Sequence, residues 1–201
     1  MLIHSFNSQE AHALTARLTT PNVANQPYPP FPFMTLLISG GHTLLLTAND
    51  VGDYNQLAAT MDDAVGEAID KASRYLKLDW IKGRRGGPGA ALERAALGGD
   101  PDRFGSRLPT PLSQPHKKKD LKFSFAGLKS AMGRLVEDPL IDLGNAQDVS
   151  DLAAAFQTTC ISHLEQKITL ALEQEVVKNK KPLTALVVSG GVASNKTFRK
   201  R

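Results

Sequence analysis

The sequence has one cysteine, one tryptophan and no long apolar run. Because Cys160 stands alone, a disulfide framework is excluded and a reducing compartment is expected. No stretch approaches the roughly 18 consecutive apolar residues of a membrane-spanning helix, so no membrane partner is predicted. Residues 1–12 show neither the apolar core of a signal peptide nor an arginine- and serine-rich transit pattern. What is present, 41% hydrophobic and 22% charged residues in 201, predicts a soluble globular protein with a substantial core.

Positive charge is in modest excess. The net charge of +4 and a pI near 9.2 fit a nucleic-acid or nucleotide partner, although many basic proteins bind neither. One basic run is Lys117, Lys118 and Lys119, within residues 98–119, which are rich in glycine, proline and charge. This composition predicts a long surface loop, and the lysines are interpreted either as a basic patch or as an ordinary solvated segment.

Strand and helix patterns alternate along the chain, which favours an α/β architecture. A proline-rich connection over 21–32 separates a short helix from the first strand. Cys160 lies in a helical apolar pattern and is predicted to be core. Helices are predicted over residues 10–18, over 61–76, after Pro88, from near Ala126, and over 150–178 with Ser150 as N-cap; strands are predicted on both sides of residues 39–43, near 54–57 and, buried, over 183–188.

Two glycine turns carry the first functional signal: LLISGGHTLLL over residues 36–46 and ALVVSGGVASN over 185–195. The first joins two strands, and it is either a hairpin that uses glycine for positive φ or a loop that offers backbone amides to an anion. The second runs from strand to helix, an order that places free amides and the positive end of a helix dipole at a surface. Helix capping by Ser194 or Asn195 is the structural alternative. Neither turn is a P-loop, because no Gly-Lys-Ser/Thr follows.

The helix predicted from residue 61 also carries acidic side chains. Asp63, Glu67 and Asp70 are spaced to form one stripe, which can serve helix ion pairs or let Asp70 bind a ribose, a substrate hydroxyl or hydrated magnesium. His12 would need a metal-binding partner four residues earlier, where Ser8 stands. Serine is a poor ligand for transition metals, so the spacing alone does not support a metal site.

Six motifs, in this order, resemble one family: EAHALTARL, LLISGGHTLLL, DDAVGEAIDKASRYL, GGPGAALERAA, FSFAGLKSAM and VVSGGVASN. They are similar to the tRNA threonylcarbamoyl-adenosine synthases, once described as O-sialoglycoprotein endopeptidases, and closest to the bacterial and mitochondrial branch. The resemblance runs from about residue 9 to residue 201. It implies an α/β, actin/sugar-kinase-like ATPase fold with two related halves around a cleft, incomplete in this chain.

The resemblance also implies an activity. The family transfers a threonylcarbamoyl group from threonylcarbamoyl-AMP to N6 of the adenine 3′ of the anticodon, in tRNAs reading codons that begin with A. Expected partners are tRNA, threonylcarbamoyl-AMP, and a second copy or accessory proteins. The expected cofactor is one divalent metal ion, iron, zinc or magnesium. The expected localisation is the mitochondrion, with the cytoplasm as the alternative.

The family's site positions carry over residue by residue. Its substrate-binding positions fall on Leu37, Ile38, Ser39, Gly40, Gly41, Asp70, Gly87 and Asn195. Of its metal-binding histidine pair, the second is His12 and the first is replaced by Ser8, while the third ligand, an aspartate, would lie beyond Arg201. The chain is therefore expected to be truncated at both ends, with residues 1–34 a remnant of the first half and residues 35–201 the glycine-turn hairpin, helical region and start of a nucleotide-binding unit.

Three other functions remain as alternatives. A non-catalytic chain could retain only nucleotide or partner binding, since family elements are expected to be missing. A metallopeptidase is less favoured because Ser8 removes a metal ligand. A generic sugar kinase needs a catalytic aspartate in a sugar-binding loop, and no such loop is recognised.

Overall fold

The computed structural model describes residues 14–17, 28–80, 86–179 and 182–200, and these contain one sheet with helices against it. Residues 14–17 are helical, in agreement with the described part of the predicted first helix. The α/β prediction is confirmed. The strands are β1 (Phe33–Ile38), β2 (Thr43–Asp50), β3 (Asp53–Ala59) and β4 (Leu186–Ser189); the helices are α1 (Val65–Tyr75), α2 (Pro88–Ala95), α3 (Pro101–Gly105), α4 (Ala126–Leu135), α5 (Ala146–Asn179), a 3₁₀ helix (Gly191–Ser194) and α6 (Lys196–Arg199).

The sheet has the order β3-β2-β1-β4, with β1 antiparallel to β2 and parallel to β4. All six residues of β1 are buried. Met34, Leu36 and Ile38 face the main core under the helices, while Phe33 and Leu37 join a second apolar cluster on the opposite face. Burial on both faces explains why β1 is apolar at every position except Thr35, rather than alternating between apolar and polar residues.

The helix predicted from residue 61 begins four residues later, as α1. Ala64 occupies the N-cap position and provides no side-chain cap. The Val65 amide instead donates to Oγ1 of Thr43, 2.8 Å away at the start of β2. Met61, predicted to lie on the apolar face, is 63% exposed. The predicted stripe of Asp63, Glu67 and Asp70 is therefore wrong, because Asp63 precedes the helix.

Asp62 and Asp63 serve a different helix. Oδ1 of Asp62 accepts from the Phe125 amide at 2.8 Å and Oδ2 accepts from the Ser124 hydroxyl at 2.6 Å, directly before α4. Asp63 forms an ion pair with Lys129 on α4. Carboxylates near a helix N-terminus are stabilising, so the two aspartates hold α4 against the segment that leads into α1.

The loop predicted over residues 98–119 contains α3, so that prediction is wrong in part. Asp100 caps α3 by accepting from the Asp102 amide at 3.0 Å, ahead of a proline at the first helical position. Arg103 then forms ion pairs with Asp148 at 2.7 Å and Asp151 at 2.8 Å on α5. The short helix exists because its cap and its ion pairs dock it on α5.

The long helix α5 begins at Ala146, so Ser150 is not its N-cap. Oδ1 of Asn145 accepts from the Gln147 amide at 2.9 Å, which is the capping interaction. Cys160 is fully buried on this helix, as predicted, and burial raises the pKa of its thiol.

The strand predicted to be buried over residues 183–188 is partly exposed. As β4 it pairs only with β1 among the described residues, and Leu186 and Val188 are 43% and 46% exposed. An apolar run alone does not distinguish a central strand from an edge strand.

His163 is a buried polar group in the core between α5 and the start of α4. Its Nε2 accepts from the Ser124 amide at 3.3 Å, and the rings of Phe123 and Phe125 meet it edge-on with centroids 6.0 and 5.3 Å away. Burial, with the nearby charge of Lys167, lowers the pKa of His163 to about 4, so the ring is neutral at physiological pH.

The folded protein should therefore lose stability in mild acid through His163. Below pH 6.5 the unfolded chain binds a proton at this position that the folded chain does not bind until about pH 4. Between about pH 7 and pH 5, the wild-type free energy of unfolding should fall by about 2 kcal/mol more than that of His163→Gln. Urea unfolding across this range measures both; parallel pH profiles would contradict the assignment.

Candidate functional site

A cavity of about 270 Å³ lies where the first residues of α1, α2 and the 3₁₀ helix meet the first glycine turn. Six of its fourteen lining residues are glycines. The lining residues are Gly40, Gly66, Ile69, Asp70, Gly86, Gly87, Pro88, Gly89, Ala90, Glu93, Gly191, Val192, Ser194 and Asn195. A larger groove of about 660 Å³ between β4 and α5 has a mostly aliphatic lining. The smaller cavity is the candidate site because it brings polar groups together.

The turn between β1 and β2 is closed by its own serine. Oγ of Ser39 accepts from the amides of Gly41 and His42 at 3.3 and 3.0 Å, and the Ser39 amide donates to the His42 carbonyl at 2.8 Å. Within the described residues the amide of Gly40 has no acceptor, and Gly40 lines the cavity. The turn thus offers a backbone amide to a ligand while its hydroxyl is engaged internally.

Two other glycines press against this turn. The Gly66 amide donates to the Ser39 carbonyl at 3.2 Å, and a Cβ at Gly66 would lie 2.5 Å from that oxygen. Gly190 has φ +105°, and a Cβ there would lie 2.2 Å from the Ile38 carbonyl oxygen. Since neither distance is compatible with a side chain, glycine is required at both positions.

Gly40 and Gly41 have a different reason to be glycine. Neither has positive φ, and a Cβ at either would meet nothing within 4 Å. The hairpin interpretation, in which glycine supplies positive φ, is therefore wrong for this pair. Their missing side chains leave open space above the backbone, which favours the interpretation that a ligand approaches the turn.

Asp70 is the acidic side chain that α1 directs toward the cavity. Burial raises the pKa of its carboxyl, while the charge of Arg74 and a hydrogen bond from the Gly89 amide partly offset the rise. The side chain is half-buried and ionises at neutral pH less readily than a free aspartate. As a carboxylate it can accept hydrogen bonds from hydroxyl or amino groups of a ligand.

Asn195 lines the cavity but its carboxamide is bonded within the protein. Oδ1 caps α6 by accepting from the amides of Thr197 at 2.9 Å and Phe198 at 3.3 Å. Nδ2 donates to Oε1 of Gln157, 2.9 Å away on α5. The capping alternative is thus confirmed for Asn195, and its contact with a substrate stays a prediction.

The structure gathers only part of the predicted set around the cavity. Gly40, Asp70, Gly87 and Asn195 line it, and Ser39 and Gly41 form the adjoining turn. The side chains of Leu37 and Ile38 are buried in β1, so only their backbone can contribute. Their substrate contacts remain predictions.

The metal prediction lies outside the described residues, since both His12 and Ser8 fall there. Among the residues that the structure does describe, no group of three histidine, cysteine or acidic side chains is placed to hold a metal ion. In the same part of the chain, no helix combines the length and apolar character needed to cross a membrane.

Comparison with known proteins assigns the chain to a family. A family model described as tRNA N6-adenosine threonylcarbamoyltransferase matches residues 3–201. The chain belongs to this family. Relatives from Brucella anthropi and Brucella suis, both named tRNA N6-adenosine threonylcarbamoyltransferase, are 43% identical over 199 and 201 residues. The alignments cover 98% of this chain and 49% of each relative, so the chain spans about half the length of the curated relatives it matches.

The threonylcarbamoyltransferase family has the actin/sugar-kinase-like ATPase fold, which confirms the predicted fold class. In this member, ten of the fourteen lining residues are not among the predicted substrate-binding positions, and Gly66 and Glu93 are two of them. Gly66 could have been recognised from the sequence, because a glycine within a strongly amphipathic helix lowers stability and therefore indicates close packing at that position. Glu93 could not: its Oε1 accepts from the Lys196 amide at 2.7 Å, and only the fold joins α2 to α6 in this way.

Gly66 and Gly41 should respond differently to substitution by alanine. Gly66→Ala forces its Cβ against the Ser39 carbonyl, and overpacking of this kind costs about 1–3 kcal/mol. Gly41→Ala extends into open space and should change the free energy of unfolding by less than about 0.5 kcal/mol. Urea unfolding of both variants measures the difference; equal losses would show that the close approach is not limiting.

Asp70→Asn should raise stability at neutral pH. An aspartate whose folded-state pKa is raised stabilises the protonated folded chain, and this contribution is lost as pH rises through that pKa. The variant's melting temperature should thus exceed that of wild type near pH 7, and the two should converge below about pH 4. Thermal melts across this range test it, and a gain that persists undiminished in acid would contradict burial of the carboxyl as the cause.

Proposed function

We propose that this chain supplies a substrate site for transfer of a threonylcarbamoyl group from threonylcarbamoyl-AMP to N6 of the adenine 3′ of the anticodon, in tRNAs reading codons that begin with A. The observation that carries the proposal is a cavity in which six of the fourteen lining residues are glycines, at the first glycine turn, at the starts of α1 and α2 and in the 3₁₀ helix, with Asp70 beside them. The names of its relatives give the reaction class, and those relatives are about twice as long as this chain.

The phosphate of the adenylate fits the backbone character of this wall. Helix N-termini carry partial positive charge, and amides without internal partners can donate to phosphate oxygens. The starts of α1 and α2 contribute this partial charge at Gly66 and Gly89, whose own amides are already bonded to the Ser39 carbonyl and to Asp70. The Gly40 amide has no acceptor among the described residues and is the amide that we assign to a phosphate oxygen. At about 270 Å³ the cavity is just below the size range of small-molecule pockets, so we assign it the phosphate and ribose rather than the whole adenylate.

Asp70 is the polar side chain that fits the ribose. Its half-buried carboxylate can accept from a ribose hydroxyl, and a ligand donor there would favour the ionised form that burial disfavours. In the transfer itself, the N6 nitrogen bonds to the carbamoyl carbon, the bond from that carbon to the phosphate oxygen breaks, AMP leaves, and N6 loses a proton. No step is assigned to a metal ion, because His12 and Ser8 lie outside the described residues.

The experiment is calorimetric titration of the 201-residue chain with AMP and with a non-hydrolysable threonylcarbamoyl-adenylate analogue. Asp70→Ala should weaken binding at least about tenfold, the effect of losing one charge-assisted hydrogen bond. Glu67→Ala, an exposed carboxylate of the same helix, is the matched control and should stay within about twofold. Asn195→Ala is less informative, because it also removes the cap of α6.

An assay of group transfer to tRNA, made beside the binding titration, decides between catalysis and binding alone. Binding alone is the second candidate, because the chain spans about half of its relatives. Transfer of the radiolabelled group to tRNA supports the full proposal, whereas analogue binding without transfer supports the second candidate. No binding by wild type, or binding unchanged in Asp70→Ala, would refute the site.

A further inference from the structure

A basic turn outside the cavity is not used by the proposed transfer. We call residues 116–122 the lysine turn; it contains four lysines, one histidine and one aspartate. The lysines at 117, 118, 119 and 122 are all exposed. In a chain whose net charge is only +4, the four lysines and one aspartate of this segment give it a net charge of +3 with histidine neutral.

A buried lysine holds the lysine turn from below. Lys167 on α5 is 2% exposed, and its Nζ donates to the carbonyl oxygens of Asp120 at 2.7 Å, Lys118 at 3.1 Å and Lys117 at 3.5 Å. An ammonium group has three donors, and all three are used on this one turn. Burying a charge is costly unless it is fully hydrogen-bonded, so this arrangement fixes the backbone of the turn.

As a result, the lysine side chains of the turn form a positively charged surface that faces the solvent. With the carbonyls of Lys117 and Lys118 turned inward to Lys167, the turn is fixed on α5 while the lysine side chains project to solvent. The inner ammonium adds a further positive charge beneath them. A merely solvated charge run would need no such support, and here burial of a cation lowers the pKa of Lys167, which is a cost that the turn imposes on the core.

The lysine turn is also connected to the candidate site. The Phe123 amide, directly after the turn, donates to the Ala59 carbonyl at 3.1 Å, and the Met61 amide donates to the Phe123 carbonyl at 3.0 Å. The same strand end leads through Asp62 into α1, whose first turn lines the cavity. A polymer bound at the turn would therefore lie on an element continuous with the cavity wall.

We propose that the lysine turn binds the phosphate backbone of tRNA and that Lys167 is a positioning residue for it. The identity of the polyanion rests on the proposed function. Phosphate contacts by lysine supply sequence-independent, salt-dependent affinity, which suits an enzyme that must hold many tRNAs with a common anticodon neighbour. Glu165 and Glu173 line a groove with Lys118 and Lys119 on one side, so we expect the RNA to approach from the opposite side.

The test is fluorescence anisotropy of labelled, unmodified tRNA with the full chain, over about 50 to 200 mM salt. The variant Lys117→Gln/Lys118→Gln/Lys119→Gln should bind at least about tenfold more weakly at low salt, and its log Kd against log salt should be shallower by up to about 0.7 for each phosphate that is no longer neutralised. A matched control, Lys71→Gln/Lys77→Gln/Arg134→Gln, removes the same charge from other positions and should leave both quantities within about twofold.

Lys167→Met tests the positioning role. It leaves every exposed lysine in place, so weaker tRNA binding with a nearly unchanged salt slope would show that support of the turn matters. Circular dichroism monitors folding, and the triple variant, whose changes are all at exposed positions, keeps the proposal testable if Lys167→Met unfolds. Wild-type tRNA affinity in both variants would overturn the proposal.

The remaining outcomes separate this proposal from the transfer function. Loss of tRNA binding with adenylate-analogue binding unchanged in the triple variant supports the lysine turn. A wild type that binds tRNA but no adenylate analogue would refute the cavity assignment and leave the turn intact. If the wild-type chain binds no tRNA, the proposal that the lysine turn binds tRNA is refuted. Loss of binding to vesicles containing phosphatidylserine in the triple variant, with tRNA binding unchanged, would assign the surface to a membrane and likewise overturn it.

Discussion

Two backbone carbonyls, those of Ile38 and Ser39, set the positions of the elements around the cavity. Gly190 and Gly66 approach them more closely than any residue with a Cβ could. These contacts bring the end of β4 and the start of α1 against the turn after β1. Because the starts of α1 and the 3₁₀ helix form the cavity wall, the shape of the site follows from backbone contacts rather than from side-chain selection. Among the eight lining residues that have side chains, Asp70 and Glu93 are the two acidic ones.

The sequence was sufficient for features that depend on local periodicity. The hairpin around the first glycine turn, the helix from Ala126 and the burial of Cys160 were all predicted, since long apolar patterns determine them. The start of α1 was not, because its cap is Thr43, far away in the chain. Asp62 likewise caps a helix in a different motif. Sequence rules for helix capping consider only residues next to the helix end, whereas these two caps are brought to the helix by the tertiary structure.

The candidate site shows the same division. The glycine turns and Asp70 were found from sequence, and the structure brings them together at one cavity. Their roles could not be predicted in full: Asn195 caps α6 and bonds to Gln157, and Glu93 joins two helices that no pattern relates. The position of β4 at the edge of the sheet could not be predicted from the sequence either, because an apolar strand has the same composition whether one or two strands pair with it.

The parallel pairing of β1 with β4 has a consequence for the order of folding. Met34 pairs with Leu186, so the two strands are neighbours in the sheet although all elements from β2 to α5 separate them in the sequence. Local hairpins close quickly, whereas contacts across a long separation pay a larger loop-closure entropy and form late. The hairpin of β1 with β2 can thus form before β4 pairs with the other edge of β1. Until β4 has paired with β1, that edge is open to pairing with other chains, and the cavity is not yet formed.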